Sequence, residues 1–435
     1  MLFFLYQIVI YLIQPIILCR LLWNSYKYPA YLKRWNERYG FCNGKVIPGG
    51  ILLHSVSVGE TLAAFPLIKA LKHHYPELPI TITTMTPTGS ERVLSEFGNN
   101  VYHVYLPYDL IGAVVRFINQ VNPKLTIIME KELWPNLIIK LRQRKIPLII
   151  ANARMSEKSA VNYKKLGCLI KKILQKITLI AVQNKEDGER FIQLGLPRKK
   201  LSIIGNLKFD IHITPELAIK TMKLRQKWAL LQRKVWIASS THEGEESIIL
   251  KTHTQLLKKF SNLLLILVPR HPERFKYSQE LTKKYKLHYI LKSTNTIPDA
   301  NTQVIIGDTM GELMLLYGIA DLAFIGGSLV KHGGHNPLEA AIHAIPILMG
   351  PHTFNFQDIC NSLKKLNGLI TVNDTQSLTV TISNLLKNRN ICSYHGHQAA
   401  KLLNNNQGVS EKLMKLLKPY LKKTKNKNIK KNTHR

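Results

Sequence analysis

From residue 51 onward the chain alternates short apolar runs with longer stretches of mixed polarity. In the first half the runs are ILLHSVSV (51–58), PITITTM (79–85), VYHVYLP (101–107), LTIIME (125–130), PLIIANA (147–153) and LIAVQN (179–184). The second half repeats the scheme with VWIASS (235–240), LLLILVP (263–269), LHYILK (287–292), QVIIGD (303–308), LAFIGG (322–327), IPILMG (345–350) and GLITV (368–372). These runs are too uniformly apolar for strands with one wet face, so they predict parallel sheets covered on both sides. Strands separated by helical stretches read as βαβ units, and two sets of them give an α/β protein with two doubly wound, Rossmann-like domains. A chain of 435 residues is too long for one core and suits two domains of about 150–200 residues. The hinge is expected within NLKFDIHITP (206–215), giving domains at 23–208 and 209–411. In such folds ligands bind at the carboxyl ends of the strands, facing a cleft between the domains.

The two ends of the chain depart from this pattern. Residues 2–19 carry no charge, and only Gln7 and Gln14 are strongly polar. That length just suffices to cross a bilayer, with Pro15 as a kink, and predicts an anchor helix over residues 1–22. Basic residues follow the stretch (Arg20, Lys27, Lys33, Arg34) and none precedes it, which places the remainder on the cytoplasmic side. The absence of a basic leader and a small-residue cleavage site speaks against a signal peptide. An amphipathic or buried first helix is the competing reading. At the other end, residues 412–435 are polybasic and read as a solvated tail able to brush anionic lipid.

Charge adds a partner class. Lys and Arg number 61 against 27 Asp and Glu, a formal net charge of +34. Such an excess points to a polyanion: nucleic acid, an anionic bilayer or a phosphorylated substrate. Abundant Lys, Asn and Ile also fit plain compositional drift. No RRM, KH or helix-turn-helix signature accompanies the charge, which leaves a basic nucleic-acid-binding protein as the weaker class. The five cysteines are scattered without a C-x-x-C pair, as in a reducing compartment.

Candidate chemistry gathers at strand ends. HSVSVGE (54–60) closes the first run, with Gly59 in a tight turn and Glu60 in the first helical turn; Glu60 reads either as a proton acceptor or as a helix-start carboxylate. MEKELWPNLI (129–138) places Glu130 and Glu132 beside a Trp-Pro helix start. GNLKFD (205–210) offers Lys208 to a phosphate or carboxylate, and VPRHPERF (268–275) brings Arg270 and His271 out of a strand, a guanidinium being well shaped for phosphate. In GDTMGEL (307–313), Met310, Gly311 and Glu312 open a helix, where Glu312 either meets a ligand or closes a capping box with Thr309. GGSLVKHGGHNPLEA (326–340) sets glycine pairs around Lys331 and His332, then caps a helix with Asn336 ahead of Pro337, Leu338 and Glu339. Glu339 suits ribose hydroxyls. His332 and His335 invite a zinc reading, but no third ligand has suitable spacing, so no metal is expected.

Taken together, HSVSVGE, ELWPN, NARMS (152–156), GNLKFD, VPRHPERF, GDTMGEL and GGHNPLEA resemble, in order and spacing, the bacterial 3-deoxy-D-manno-octulosonic acid (Kdo) transferases. The resemblance runs from the N-terminal stretch to about residue 410. It implies a glycosyltransferase of the GT-B architecture, anchored at the bacterial inner membrane with its catalytic domains on the cytoplasmic side. It further implies transfer of Kdo, with inversion, from CMP-Kdo to lipid IVA, the tetra-acylated lipid A precursor, in lipopolysaccharide biosynthesis, without a cofactor. The family's catalytic base falls on Glu60 and its transition-state stabilisers on Glu130 and Lys208. Its CMP contacts fall on Pro269 and Arg270, on Met310, Gly311 and Glu312, and on Asn336, Pro337, Leu338 and Glu339. The acceptor is thereby assigned to the N-terminal domain and the CMP-sugar to the C-terminal one. The nearer rival is another nucleotide-sugar enzyme of this fold, a UDP-sugar transferase or epimerase.

Overall fold

A computed structural model describes residues 2–228, 230 and 233–421. It divides into two compact units: Met1–Asp210 with the chain from Gly408 onward, and Ile211–Gln407.

The first unit is built on a seven-stranded parallel sheet of β1 (Ile51–His54), β2 (Ile80–Thr84), β3 (Tyr102–Tyr105), β4 (Leu125–Met129), β5 (Leu148–Ala153), β6 (Leu179–Val182) and β7 (Leu201–Ile203). Its order is β3-β2-β1-β4-β5-β6-β7, so the winding reverses between β1 and β4. Every residue of β1, β2, β4 and β5 is buried, as expected where helices cover both faces. The short β7, with its half-exposed residues, escapes the apolar-run criterion.

The second unit carries β8 (Val235–Thr241), β9 (Leu264–Pro269), β10 (Tyr289–Leu291), β11 (Val304–Ile306), β12 (Leu322–Ile325), β13 (Ile347–Met349) and β14 (Leu369–Thr371). Their order, β10-β11-β9-β8-β12-β13-β14, is again parallel throughout, and the reversal lies between β8 and β12. The core on one face joins Trp236, Leu265, Leu267, Phe324 and Leu348 to helix residues such as Ile249 and Ile382.

Two elements differ from the expectation. Residues 412–421 do not belong to a solvated tail. They continue helix Val409–Leu421, whose Val409, Leu413, Leu417 and Leu421 are buried in the core of the first unit. The Asp210 carboxylate accepts the Val409 amide at 3.1 Å and the Ser410 amide, tying the returning chain to the point where it left that unit. An apolar stripe at helical spacing outweighs the lysines between its members. The remainder of the basic segment, 422–435, lies outside the described residues.

The N-terminal stretch forms two helices, α1 (Leu2–Leu12) and α2 (Gln14–Lys27), bent by 43° at the break. Neither is by itself long and apolar enough to cross a membrane, whereas the bent pair passes by length and composition. One side is held to the first unit: Tyr6 donates to Asp109 at 2.7 Å, Gln7 and Asn136 exchange side-chain hydrogen bonds, and Leu21 packs with Tyr108, Leu110 and Ala113. The other side exposes Phe4, Leu5, Ile8, Leu12, Ile16 and Trp23.

Candidate active site

In the first unit the chemistry collects where the winding reverses, at the ends of β1 and β4. After β1 the chain turns through Ser55–Ser57 into α3 (Val58–His74), with Ser57 as N-cap accepting the Glu60 amide at 3.2 Å. The Glu60 carboxylate folds back, accepting from the Val56 amide at 2.7 Å and the Ser57 hydroxyl at 3.0 Å. It is 9% exposed. Burial pushes its pKa up to about 7; the Val56 amide and Ser57 hydroxyl oppose this, while the nearby Glu130 and Glu132 add to it. Gly59 is not needed for the turn. It lies inside the helix, and a Cβ there would meet only Ser57 Oγ, at 3.8 Å.

Glu130 leaves β4 in the left-handed region, φ +57°, with its amide bound to Ala151 O at 2.9 Å. A non-glycine residue held there is strained, and such residues cluster at functional sites. Glu132 is also pushed up by burial, with Glu130 adding to it against Lys131. The three carboxylates therefore act on one another. Lys208 sits on the 3-10 turn Leu207–Phe209, which packs against α3. That turn is fixed by Asn152, whose Oδ1 accepts the Leu207 amide at 2.9 Å from a left-handed kink in β5 (φ +54°). At the end of β1, His54 is fully buried, bonded through Nδ1 to Thr83 Oγ1 at 2.9 Å and edge-on to Trp134. Burial pushes its pKa down to about 4, so it stays neutral at physiological pH.

The second unit repeats the arrangement at the ends of β8, β9, β11 and β12. Pro269 closes β9, and the Arg270 amide binds Thr241 O at 3.0 Å, joining the exits of β8 and β9. Arg270 and Glu339 sense each other electrically: burial raises the Glu339 pKa, and Asn336 and Arg270 pull it back. Asn336 donates to Glu339 at 3.2 Å and accepts the Leu338 amide at 3.2 Å, with Pro337 just ahead of the short helix Leu338–Ala341.

Met310, Gly311 and Glu312 precede helix Leu313–Ile319 rather than open it, because Gly311 is left-handed (φ +85°) and Glu312 is the N-cap. Met310 is 54% exposed, and a Cβ on Gly311 would meet nothing within 4 Å. The Glu312 carboxylate accepts from the Thr309 hydroxyl and pairs with Lys292 at 3.4 Å, so no backbone capping box forms.

The sequence reading passed over THEGEE (241–246), directly after β8. Glu245 is fully buried and accepts four backbone amides: His242 at 3.0 Å, Gly327 at 2.7 Å, Ser328 at 3.0 Å and Leu329 at 2.9 Å. Glu246 receives Arg274 through two bonds, at 3.0 and 3.1 Å. Two adjacent acids beside a glycine at a strand end were the available signal, since a buried carboxylate has to be matched by donors. Among the described residues, no group of three or more His, Cys, Asp or Glu is arranged to hold a metal ion.

Two doubly wound parallel-sheet units, with acids and cations at the carboxyl ends of their strands, are the fold of the GT-B architecture. A UDP-GlcNAc 2-epimerase from Neisseria meningitidis shares that fold, with a TM-score of 0.55 at 15% identity over 85% of this chain and 100% of its own. A family model described as 3-deoxy-D-manno-octulosonic-acid transferase (kdotransferase) matches residues 33–211. The 3-deoxy-D-manno-octulosonic acid transferase of Haemophilus influenzae is 49% identical over 97% of this chain and 99% of its own length. That of Bordetella pertussis is 34% identical over 71% and 72%. The chain belongs to the 3-deoxy-D-manno-octulosonic acid transferase family.

Proposed function

We propose that the protein transfers Kdo from CMP-Kdo to lipid IVA with inversion at the anomeric carbon. The observation that carries this reading is the buried Glu60 carboxyl in the first turn of α3, just after β1 and close enough to Glu130 and Glu132 to feel their charge, with burial pushing its pKa up to about 7. A base of that strength accepts a proton from a sugar hydroxyl near neutral pH and is still basic enough to drive the transfer. As the acceptor oxygen loses its proton to Glu60 it bonds to the anomeric carbon of Kdo. The carbon–phosphate oxygen bond breaks, and its electron pair leaves with CMP.

In this reading Glu130 supports the cationic character developing at the anomeric carbon. Lys208 and Arg270 oppose the charge growing on the phosphate. Pro269, Met310, Gly311, Asn336, Pro337 and Leu338 shape the nucleotide pocket, while Glu312 and Glu339 accept hydrogen bonds from it. The exposed apolar side of α1 and α2 enters the cytoplasmic face of the inner membrane, where the acceptor resides. The excess of basic residues draws the protein to that anionic surface.

The test is an assay with CMP-Kdo and lipid IVA, read by mass spectrometry. Product of lipid IVA mass plus Kdo is expected, persisting in EDTA because protein cations serve the leaving group. Glu60→Gln should lower the rate by about 10²–10⁴-fold while CMP binding is kept. Loss of nucleotide binding in that variant, or dependence on Mg²⁺, would count against the assignment.

A further inference from the structure

Four imidazoles converge where the second sheet reverses its winding. His242 comes from the end of β8, His271 from the end of β9, and His332 and His335 from the loop after β12. His242 Nε2 lies 2.8 Å from His335 Nε2, and their rings are parallel. The His332 ring stacks on His242 with centroids 4.2 Å apart, and His271 meets it edge-on at 5.4 Å. The rings rest on Gly327, where a Cβ would come within 3.2 Å of His335 Cδ2 and 3.4 Å of His242 Cδ2.

The grouping is held in place from below. Through its four amides Glu245 locks the loop after β8 to the loop after β12, and Glu246 fixes Arg274. The nearby acids are therefore already engaged. Glu245 faces backbone amides, Glu246 faces Arg274 and Thr241, exposed Glu243 lies 3.7 Å from Arg274, and Glu339 faces Arg270 and Asn336. Fixed positive charge surrounds the imidazoles, from Arg270 beside both His242 and His335 and from Arg274 beside His242.

Two nitrogens 2.8 Å apart can hold only one proton between them, so at most one of His242 and His335 can be an imidazolium. Burial, the neighbouring rings, Arg270 and Arg274 push His242 down to about 4, and burial, Arg270 and the neighbouring rings push His335 down to about 3. No local carboxylate offsets this field, and an incoming anion would reverse it. We infer that the histidine cluster receives the phosphate of the cytidine nucleotide and takes up a proton from solvent as it does so, so that an imidazolium joins Arg270 in facing the departing CMP. This deepens, and rests on, the reading of the second unit as the nucleotide site. It also supplies a movable positive charge of the sort a metal ion would otherwise provide.

The experiment is isothermal titration calorimetry of the full chain with CMP at pH 7.0, in PIPES and in Tris, whose different ionisation enthalpies count the protons exchanged. The phosphate's own second pKa of about 6 leaves CMP mostly dianionic there, so uptake reports on the protein. A net uptake approaching one proton per CMP is expected, with none for cytidine. His335→Asn should abolish the uptake and weaken CMP roughly tenfold, the worth of one charge-assisted hydrogen bond, with cytidine affinity unchanged. Wild-type binding of CMP with no uptake, or with release, overturns the inference and leaves the nucleotide reading standing. So does a His335→Asn protein that keeps both affinity and uptake. Failure of the wild type to bind CMP overturns both. The wild-type proton count holds even if the variant does not fold.

Discussion

A carboxyl group with a pKa of about 7 is expensive to keep ionised, and Glu60 shows where that cost falls. Its folded-state pKa lies above the unfolded value, so its contribution favours folding at low pH and is lost as pH rises from about 4.5 to about 7. Above that window the native state holds a buried carboxylate near Glu130 and Glu132. Glu60→Gln should therefore be more stable than the wild type at pH 8, by on the order of 1–3 kcal/mol, with the gain vanishing below pH 4.5. Thermal unfolding of both proteins across that range checks the sign. A stability gain paired with lost transfer is the pattern of a site strained for function. Glu60 itself was legible in the sequence as the acid in the first turn after β1. Its altered acidity was not, because it arises first from burial, which only the packed fold supplies, and then from Glu130 and Glu132, which come near only once β4 lies beside β1.

At the scale of elements, the loops after β8 and β12 are assembled by one side chain. Removing Glu245 leaves three buried amides and one partly buried amide without an acceptor, each buried one costing about 1–3 kcal/mol and not adding fully. Glu245→Ala should lose roughly 3–5 kcal/mol and weaken CMP binding together, as read by urea unfolding and calorimetry. A variant of unchanged stability would remove Glu245 from this role. The helix Val409–Leu421 makes a second case. Leu417 is fully buried against the first unit, so Leu417→Ala should cost about 2–5 kcal/mol by the same unfolding measurement, although the segment reads as a basic tail. The strands were readable because a doubly covered strand is mostly apolar or β-branched and carries almost no charge. This helix was not, because its lysines at 412, 415 and 418 dominate the composition while the side facing the core decides the packing.

For the molecule as a whole, the proposed membrane contact rests on two features, a net charge of +34 and an exposed apolar side on α1 and α2. Binding to vesicles containing anionic phospholipid should exceed binding to zwitterionic ones. It should fall between low and high salt, since each basic residue near the surface contributes about 1 kcal/mol that salt screens. Removing residues 2–27 should leave only the salt-sensitive part; sedimentation with vesicles reads both. Equal binding to neutral vesicles at all salt concentrations would discount the electrostatic share. Apolar periodicity by itself determined the two parallel-sheet units, and motif order determined the family, because both are written in residues that are neighbours along the chain. Tertiary structure alone decided the pKa of Glu60, the meeting of four histidines and the return of the last helix to the first unit. Each depends on groups remote in sequence whose charges and surfaces act only over the few ångströms that folding brings between them.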